Sequence, residues 1–177
     1  MQNKLPLFIV TGASGSGKTY VVIELSKIMP EFDIFDSDNI VEFLGDDWEK
    51  VRNIWLRVAR NIAQSGRMTI LCGTMMPWDI EKCVDLPYFK HVYYVNLHCD
   101  EETRENRLRE RNWSTDMIQD HKNFAKRLLE IADTEYNPPM PTIDTTGAEV
   151  SNVALQIREW VLRYSDIYFL KNISTTL

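Results

Sequence analysis

The stretch "FIVTGASGSGKTYVV", Phe8 to Val22, constrains this chain more than any other. An apolar run breaks into small residues, and a lysine and a threonine then open a segment of helical character. Gly12, Gly17, Lys18 and Thr19 match the pattern GxxxxGK[ST]. Glycines at these positions let the backbone curl until successive N–H groups point at phosphate oxygens, and the helix N-terminus that follows adds partial positive charge. Gly12, Ala13, Ser14, Gly15, Ser16, Gly17, Lys18, Thr19 and Tyr20 are therefore the expected phosphate-binding residues. Lys18 would reach the β- and γ-phosphates, and the Thr19 hydroxyl would ligate Mg²⁺. The alternative is a plain Gly/Ser-rich turn, against which stand the apolar strand before it and the helical pattern after it.

With 177 residues, 44% of them hydrophobic, the chain suffices for one domain with a substantial core, and the expectation is a single domain over 1–177. The net charge of -6 argues against a protein that coats nucleic acid, because backbone affinity comes from clustered Lys and Arg. No stretch approaches the roughly 18 apolar residues of a membrane span, so a cytoplasmic location with no membrane partner is expected. Cys72, Cys83 and Cys99 are odd in number and lack CxxC spacing, which points to structural thiols.

Short apolar runs alternate with segments of helical period, the pattern of a parallel sheet covered by helices. Strands are expected at Leu5–Val10, Phe32–Phe35, Met68–Cys72, His91–Leu97 and Thr142–Asp144. From Asp47 to Gln64, Val51, Ile54, Trp55, Val58 and Ile62 recur at helical spacing, with Asp46 and Glu49 placed as a capping box and Gly66 as a stop. Asp116–Ala132 repeats the pattern with Met117, Phe124, Leu128 and Ile131, and Ser151–Tyr164 does so with Val153, Ile157, Trp160 and Val161. Pro138, Pro139 and Pro141 keep these two helices apart. In the tail, residues 165–177, Ile167–Leu170 form an apolar knot expected to dock onto the domain, with the last residues fraying.

The loop and its context resemble the P-loop kinases of small molecules, within them the shikimate-kinase-like and nucleoside/nucleotide-kinase-like group. The resemblance runs from about Leu5 to Tyr164. It implies a three-layer α/β/α P-loop NTPase fold, a five-stranded parallel sheet in the order 2-3-1-4-5, and a helical lid at about 104–118. It also implies ATP and Mg²⁺ as the bound groups.

Other residues must say what is done with the nucleotide. No NKxD guanine motif is present, and the chain is short for the extra helical domain of a ring-forming motor. In "DIFDSDNI", Asp36 and Asp38 follow an apolar run, at the end of a strand where open α/β sheets place ligands. Two such carboxylates could divide the work of phosphoryl transfer, or Asp36 or Ser37 could simply cap the helix that follows. The segment resembles the "DSD" of shikimate kinases. That likeness implies Asp36 on the metal side, and Asp38 on the acceptor side as the candidate base.

The third strand ends in "LCGTMMPWD", where shikimate kinases carry three glycines and this chain has only Gly73. Gly73 is the expected point of acceptor approach, and Met75, Met76 and Trp78 imply a larger or flatter pocket, or plain core packing. Arg57 and Arg60, one turn apart, could clamp an acceptor anion or lie on a solvated helix face. "EETRENRLRERNWSTD" packs Arg104, Arg107, Arg109 and Arg111 together, with glutamates spaced to pair with them. By resemblance to the lid of these kinases, Arg107 lies at the adenine and Arg111 at the γ-phosphate. "TIDTTG" ends the last strand, and the same resemblance puts Thr145, Thr146 and Gly147 beside the adenine; a plain turn is the alternative.

These readings converge on transfer of the γ-phosphoryl of ATP to a small-molecule acceptor, with Lys18, Asp38 and Arg111 catalytic. The acceptor expected first is a nucleoside or nucleotide, then a shikimate-, sugar-acid- or antibiotic-type metabolite. A nucleotide-binding regulatory module or slow ATPase is the rival of another class. The sequence leaves the oligomeric state open.

Overall fold

The apolar run that precedes the glycine-rich loop forms strand β1, Leu7–Thr11, and every residue in it is buried. In this computed structural model, residues 4–173 are described, with side chains through residue 165. A strand buried on both faces needs helices above and below it, and the chain supplies them in alternation. The elements are α1 (Lys18–Ile28), β2 (Phe32–Asp36), a 3₁₀ turn at Ser37–Ile40, the short α2 (Val41–Leu44) and α3 (Trp48–Gln64). They continue with β3 (Met68–Cys72), the short α4 (Pro77–Ile80), β4 (Val92–His98), α5 (Glu101–Arg109), α6 (Thr115–Ile131), β5 (Thr142–Asp144) and α7 (Val150–Ile173).

All five strands run parallel in the order β2-β3-β1-β4-β5, as the resemblance implied. Leu7 pairs with Thr69 of β3 and Val92 of β4, which puts the carboxyl ends of β1, β2 and β3 at one rim. At the centre, Phe8 stacks on Tyr93 with ring centroids 5.6 Å apart, and meets Phe32 and Trp160 edge to face. Aromatic pairs in these orientations add to the burial of their large apolar area.

Three local expectations change. Helix α3 is capped by Asp47, whose Oδ1 accepts from the Lys50 N–H at 3.1 Å, and not by Asp46 and Glu49. Asp46 instead has φ 60° beside Gly45 at φ 59°, so the chain reverses through two left-handed residues before the helix begins. The buried stripe of α3 is Val51, Trp55, Leu56, Ala59 and Ala63, with Ile54 left 41% exposed. Small alanines let the helix lie close on the sheet, which selects them over the bulkier residues beside them. Helix α6 likewise buries Ile118, Ala125 and Leu128, while Met117 is exposed. Finally, α7 runs on to Ile173 through most of the expected tail. The docking expected of the Ile167–Leu170 side chains and the fraying expected at the end lie outside the described side chains and residues.

All three cysteines are buried free thiols. Among the described residues, no helix is long and apolar enough to cross a membrane.

Candidate active site

The phosphate loop joins β1 to α1 at the rim. Gly12 passes so close to β4 that a Cβ there would stand 2.4 Å from the Leu97 carbonyl oxygen. Gly17, at φ 97°, caps α1 in a left-handed conformation, and no acidic residue occupies the first turn of that helix. The positive end of α1 is thus open toward an anion.

Two arginines of α5 hold the loop from behind. Arg104 Nη1 donates to the Ser14 carbonyl at 2.6 Å and its Nη2 to the Cys99 carbonyl at 3.2 Å. Arg107 donates to the Gly15 carbonyl at 2.9 Å and to the Thr145 carbonyl at 3.2 Å. These bonds fix the curl of the loop, within which the Ser16 N–H donates to the Ala13 carbonyl at 3.2 Å. Lys18 is buried, and its Nζ donates to the carbonyls of Gly12 and Ala13 at 2.7 and 3.3 Å. Burial lowers its pKa to about 8, with Arg104 acting in the same direction against Asp38 and Asp36. A buried ammonium resting on carbonyls, without an ion pair among the described residues, fits an incoming phosphate.

Asp36 and Asp38 lie at the end of β2. Asp36 is buried and caps the 3₁₀ turn, its Oδ1 accepting from the Asp38 N–H at 3.0 Å, so the capping alternative is realised. Its carboxylate also acts on Lys18, so capping does not take it away from the phosphate site. Asp38 accepts from the Ser37 hydroxyl at 3.2 Å. Burial and then the Asp36 charge push its carboxyl above the usual range, against Lys18 and the Ser37 hydroxyl. Such a carboxylate has more affinity for a proton than an ordinary surface aspartate.

Ser14, Gly15, Gly17, Lys18, Thr19, Tyr20, Asp38 and Arg111 line one pocket. An adjoining cleft of about 520 Å³ is lined by Gly15, Ser16, Gly17, Tyr20, Val21, Arg107, Glu110, Arg111, Thr145, Ala148, Val150 and Val153. Arg111 therefore borders both spaces. Thr19 is exposed at this mouth.

Several expected residues stand elsewhere. Arg57 and Arg60 both turn to Asp85, which accepts from Arg57 Nε and, at 2.7 Å, from Arg60 Nη1. Neither lines the pockets at the phosphate loop. Arg109 pairs with Glu105 at 2.6 Å on the outside of α5. Arg104, which opens the expected lid segment, is 1% exposed beneath the loop. Thr146 uses its hydroxyl to accept from the Asp100 N–H at 2.9 Å, and Thr145 lines the cleft in its place. Met75 and Met76 are core residues, while Trp78 is 38% exposed.

Gly73 has a tighter reason than substrate approach. A Cβ there would overlap the Ser37 hydroxyl oxygen at 1.6 Å, so the glycine makes room for the turn that carries Asp38. Sequence reasoning passed over Asp85, His121 and Arg52, because their partners are distant in the chain. Arg52 Nη2 reaches Asp79 at 3.3 Å and ties α3 to the segment after Gly73.

Sheet order, loop and flanking helices define a three-layer α/β/α fold with a P-loop, the fold also seen in solved small-molecule kinases. Solved structures of similar shape include a shikimate kinase from Acinetobacter baumannii in complex with shikimate, 20% identical, with a TM-score of 0.57 over 92% of this chain and 95% of that one. The tunicamycin resistance protein of Deinococcus radiodurans superposes with a TM-score of 0.64 at 17% identity, over 90% of this chain and 96% of that one. A gluconokinase from Sinorhizobium meliloti 1021 covers 96% of this chain and 99% of its own at 16% identity and a TM-score of 0.60. At these identities the likeness is one of fold. By sequence, the uridine kinase of Borrelia turicatae (strain 91E135) is 49% identical over 37 residues, 21% of this chain and 18% of that protein's length. No protein-family model matches the chain.

Proposed function

We propose that the protein is an ATP-dependent phosphotransferase that moves the γ-phosphoryl group of ATP to a small-molecule acceptor. The observation that carries this reading is Asp38, an exposed carboxylate with a raised affinity for a proton that lines the same pocket as Lys18 and Arg111. A module that only binds nucleotide has no need of a proton acceptor there.

In this mechanism the loop N–H groups and Lys18 hold the β- and γ-phosphates, and the base lies in the larger cleft beside Arg107 and Thr145. Asp38 accepts the proton of the acceptor hydroxyl as that oxygen bonds to the γ-phosphorus. The bond from phosphorus to the β,γ-bridging oxygen breaks, and ADP leaves. Arg111 meets the charge that spreads over the transferring group, on a turn between α5 and α6 that we assign as the lid. Thr19 and Asp36 would hold a magnesium ion, which would supply neutralisation of the phosphate charge.

The acceptor we propose is a nucleoside or nucleotide, supported by the short uridine-kinase match and by two aromatic rings, Phe43 and Trp78, left exposed on segments that follow Asp38 and Gly73. The kinship in fold to sugar-acid, shikimate and antibiotic-resistance proteins supports those acceptors equally. ATP consumption measured against nucleosides, nucleotides, shikimate, sugar acids and antibiotic hydroxyls separates them. Asp38→Asn is expected to reduce transfer by about 10²-fold or more while ATP affinity changes little. Equal and small effects on both would instead indicate a binding module.

A further inference from the structure

Ser14, at the tip of the phosphate loop, is held on both sides of its backbone. Its carbonyl accepts from Arg104, and its N–H donates to Nδ1 of His121 at 3.3 Å, across 107 residues of chain. His121 sits on α6, and its ring is oriented by packing. Trp113 lies edge to face at 4.9 Å between centroids, and Phe124 at 6.4 Å.

An N–H of a phosphate loop is a donor for anions. Nδ1 of His121, accepting from that N–H, takes the part that a phosphate oxygen would play there. To accept, Nδ1 must be unprotonated, and the surroundings favour that state. Burial, then Lys18 of α1 and Arg104 of α5, lower the affinity of the ring for a proton, and Asp120 on its own helix opposes them. A triphosphate laid against the loop reverses this field, because it sets several negative charges against the two cations.

We propose that His121 is a further phosphate-binding residue of the site: its Nδ1 accepts from the Ser14 N–H where a phosphate oxygen would, and, protonated, it donates to that oxygen when a triphosphate binds. Binding then takes one proton from solvent onto Nδ1, and the imidazole changes from acceptor to donor. The contact also ties α6 to the loop, so phosphate occupancy is felt at the turn that carries Arg111. This inference rests on the nucleotide-binding reading of the site.

The test uses the full chain with magnesium and a non-hydrolysable ATP analogue. Calorimetry near neutral pH in two buffers of different ionisation heat counts protons taken up, for the wild type and for His121→Gln, which keeps an acceptor that does not titrate. NMR follows the rings of His91, His98 and His121 in the wild type alone, so the result does not depend on the variant folding. The wild type is expected to take up more protons than His121→Gln, and the His121 midpoint to rise by about one unit or more with the analogue, a coupling of about tenfold. Equal proton counts, or an unmoved midpoint in protein shown to have bound the analogue, overturn the proposal and leave the nucleotide reading standing. Failure of the wild type to bind any triphosphate overturns both.

Discussion

Arg104 donates to the Ser14 carbonyl from a position only 1% exposed, and its other hydrogen bond also goes to a main-chain carbonyl, that of Cys99. Burial lowers its pKa, which shows that holding this cation inside is costly. The arrangement makes sense if it fixes the loop and lends positive potential to the phosphate site. Arg104→Met, similar in length and uncharged, should lower ATP affinity about tenfold or more in a calorimetric titration. Stability should fall by about 2 kcal/mol as two carbonyls lose their donor. A lower Tm with unchanged ATP affinity would mean that the arginine only fills space.

Lys18 gives the site a pH limit. With its pKa lowered to about 8, the ammonium is charged below that pH and neutral above it. Phosphate binding restores the charge, so each pH unit above about 8 should weaken ATP-analogue affinity by up to tenfold. Below that pH this contribution is flat. Lys18→Arg, charged throughout, should bind more weakly overall and lose the alkaline decline. The measurement is the dissociation constant across the pH range.

The turn carrying Asp38 depends on a missing side chain at Gly73. Gly73→Ala must move Ser37, whose Oγ and Cβ would lie 1.6 and 2.8 Å from the new methyl group. Asp38, bonded to that hydroxyl, moves with it. Transfer should fall about 10-fold or more, with ATP affinity retained. Ser37→Gly added to Gly73→Ala removes both clashing atoms and should recover much of the loss, a coupling that a double-mutant cycle measures.

Asp85 tests the reassignment of Arg57 and Arg60. Its side chain is 4% exposed, and hydrogen bonds to charged groups are worth about 1.5–3 kcal/mol each, so Asp85→Ala should cost about 2 kcal/mol or more of stability. Burial alone would raise this carboxyl, but the two guanidinium groups outweigh it and hold the pKa below the usual range. Its contribution is therefore full above the ordinary carboxylate range and is lost as pH falls through the lower folded value. Denaturant melts should show the deficit near neutral pH and its disappearance in acid. Activity per folded molecule should stay near wild type, whereas a collapse of acceptor affinity would return the two arginines to the acceptor site.

Much of the fold was legible because its signals are local. The apolar runs of β1 and β3, the glycine spacing and the alternation of strand and helix each act within a few residues. The same locality explains the errors. The stripe of α3 looked as if Ile54 faced the core, yet alanines took the close approach, which depends on where the sheet lies. Arg57 and Arg60 looked like a clamp because the sequence does not show Asp85 folding back onto them.

The sequence by itself determined the phosphate loop, the strand that feeds it and the Asp36–Asp38 pair, since curl, helix dipole and carboxylate spacing are properties of contiguous residues. Only the tertiary structure decided what each arginine holds, why Gly73 lacks a side chain, and that His121 reaches Ser14. Those contacts join residues tens of positions apart, and their partners are selected by packing and burial, which no short stretch of chain encodes alone. The loop in "FIVTGASGSGKTYVV" thus proves to be braced from α5 and touched from α6, and the sequence showed neither contact.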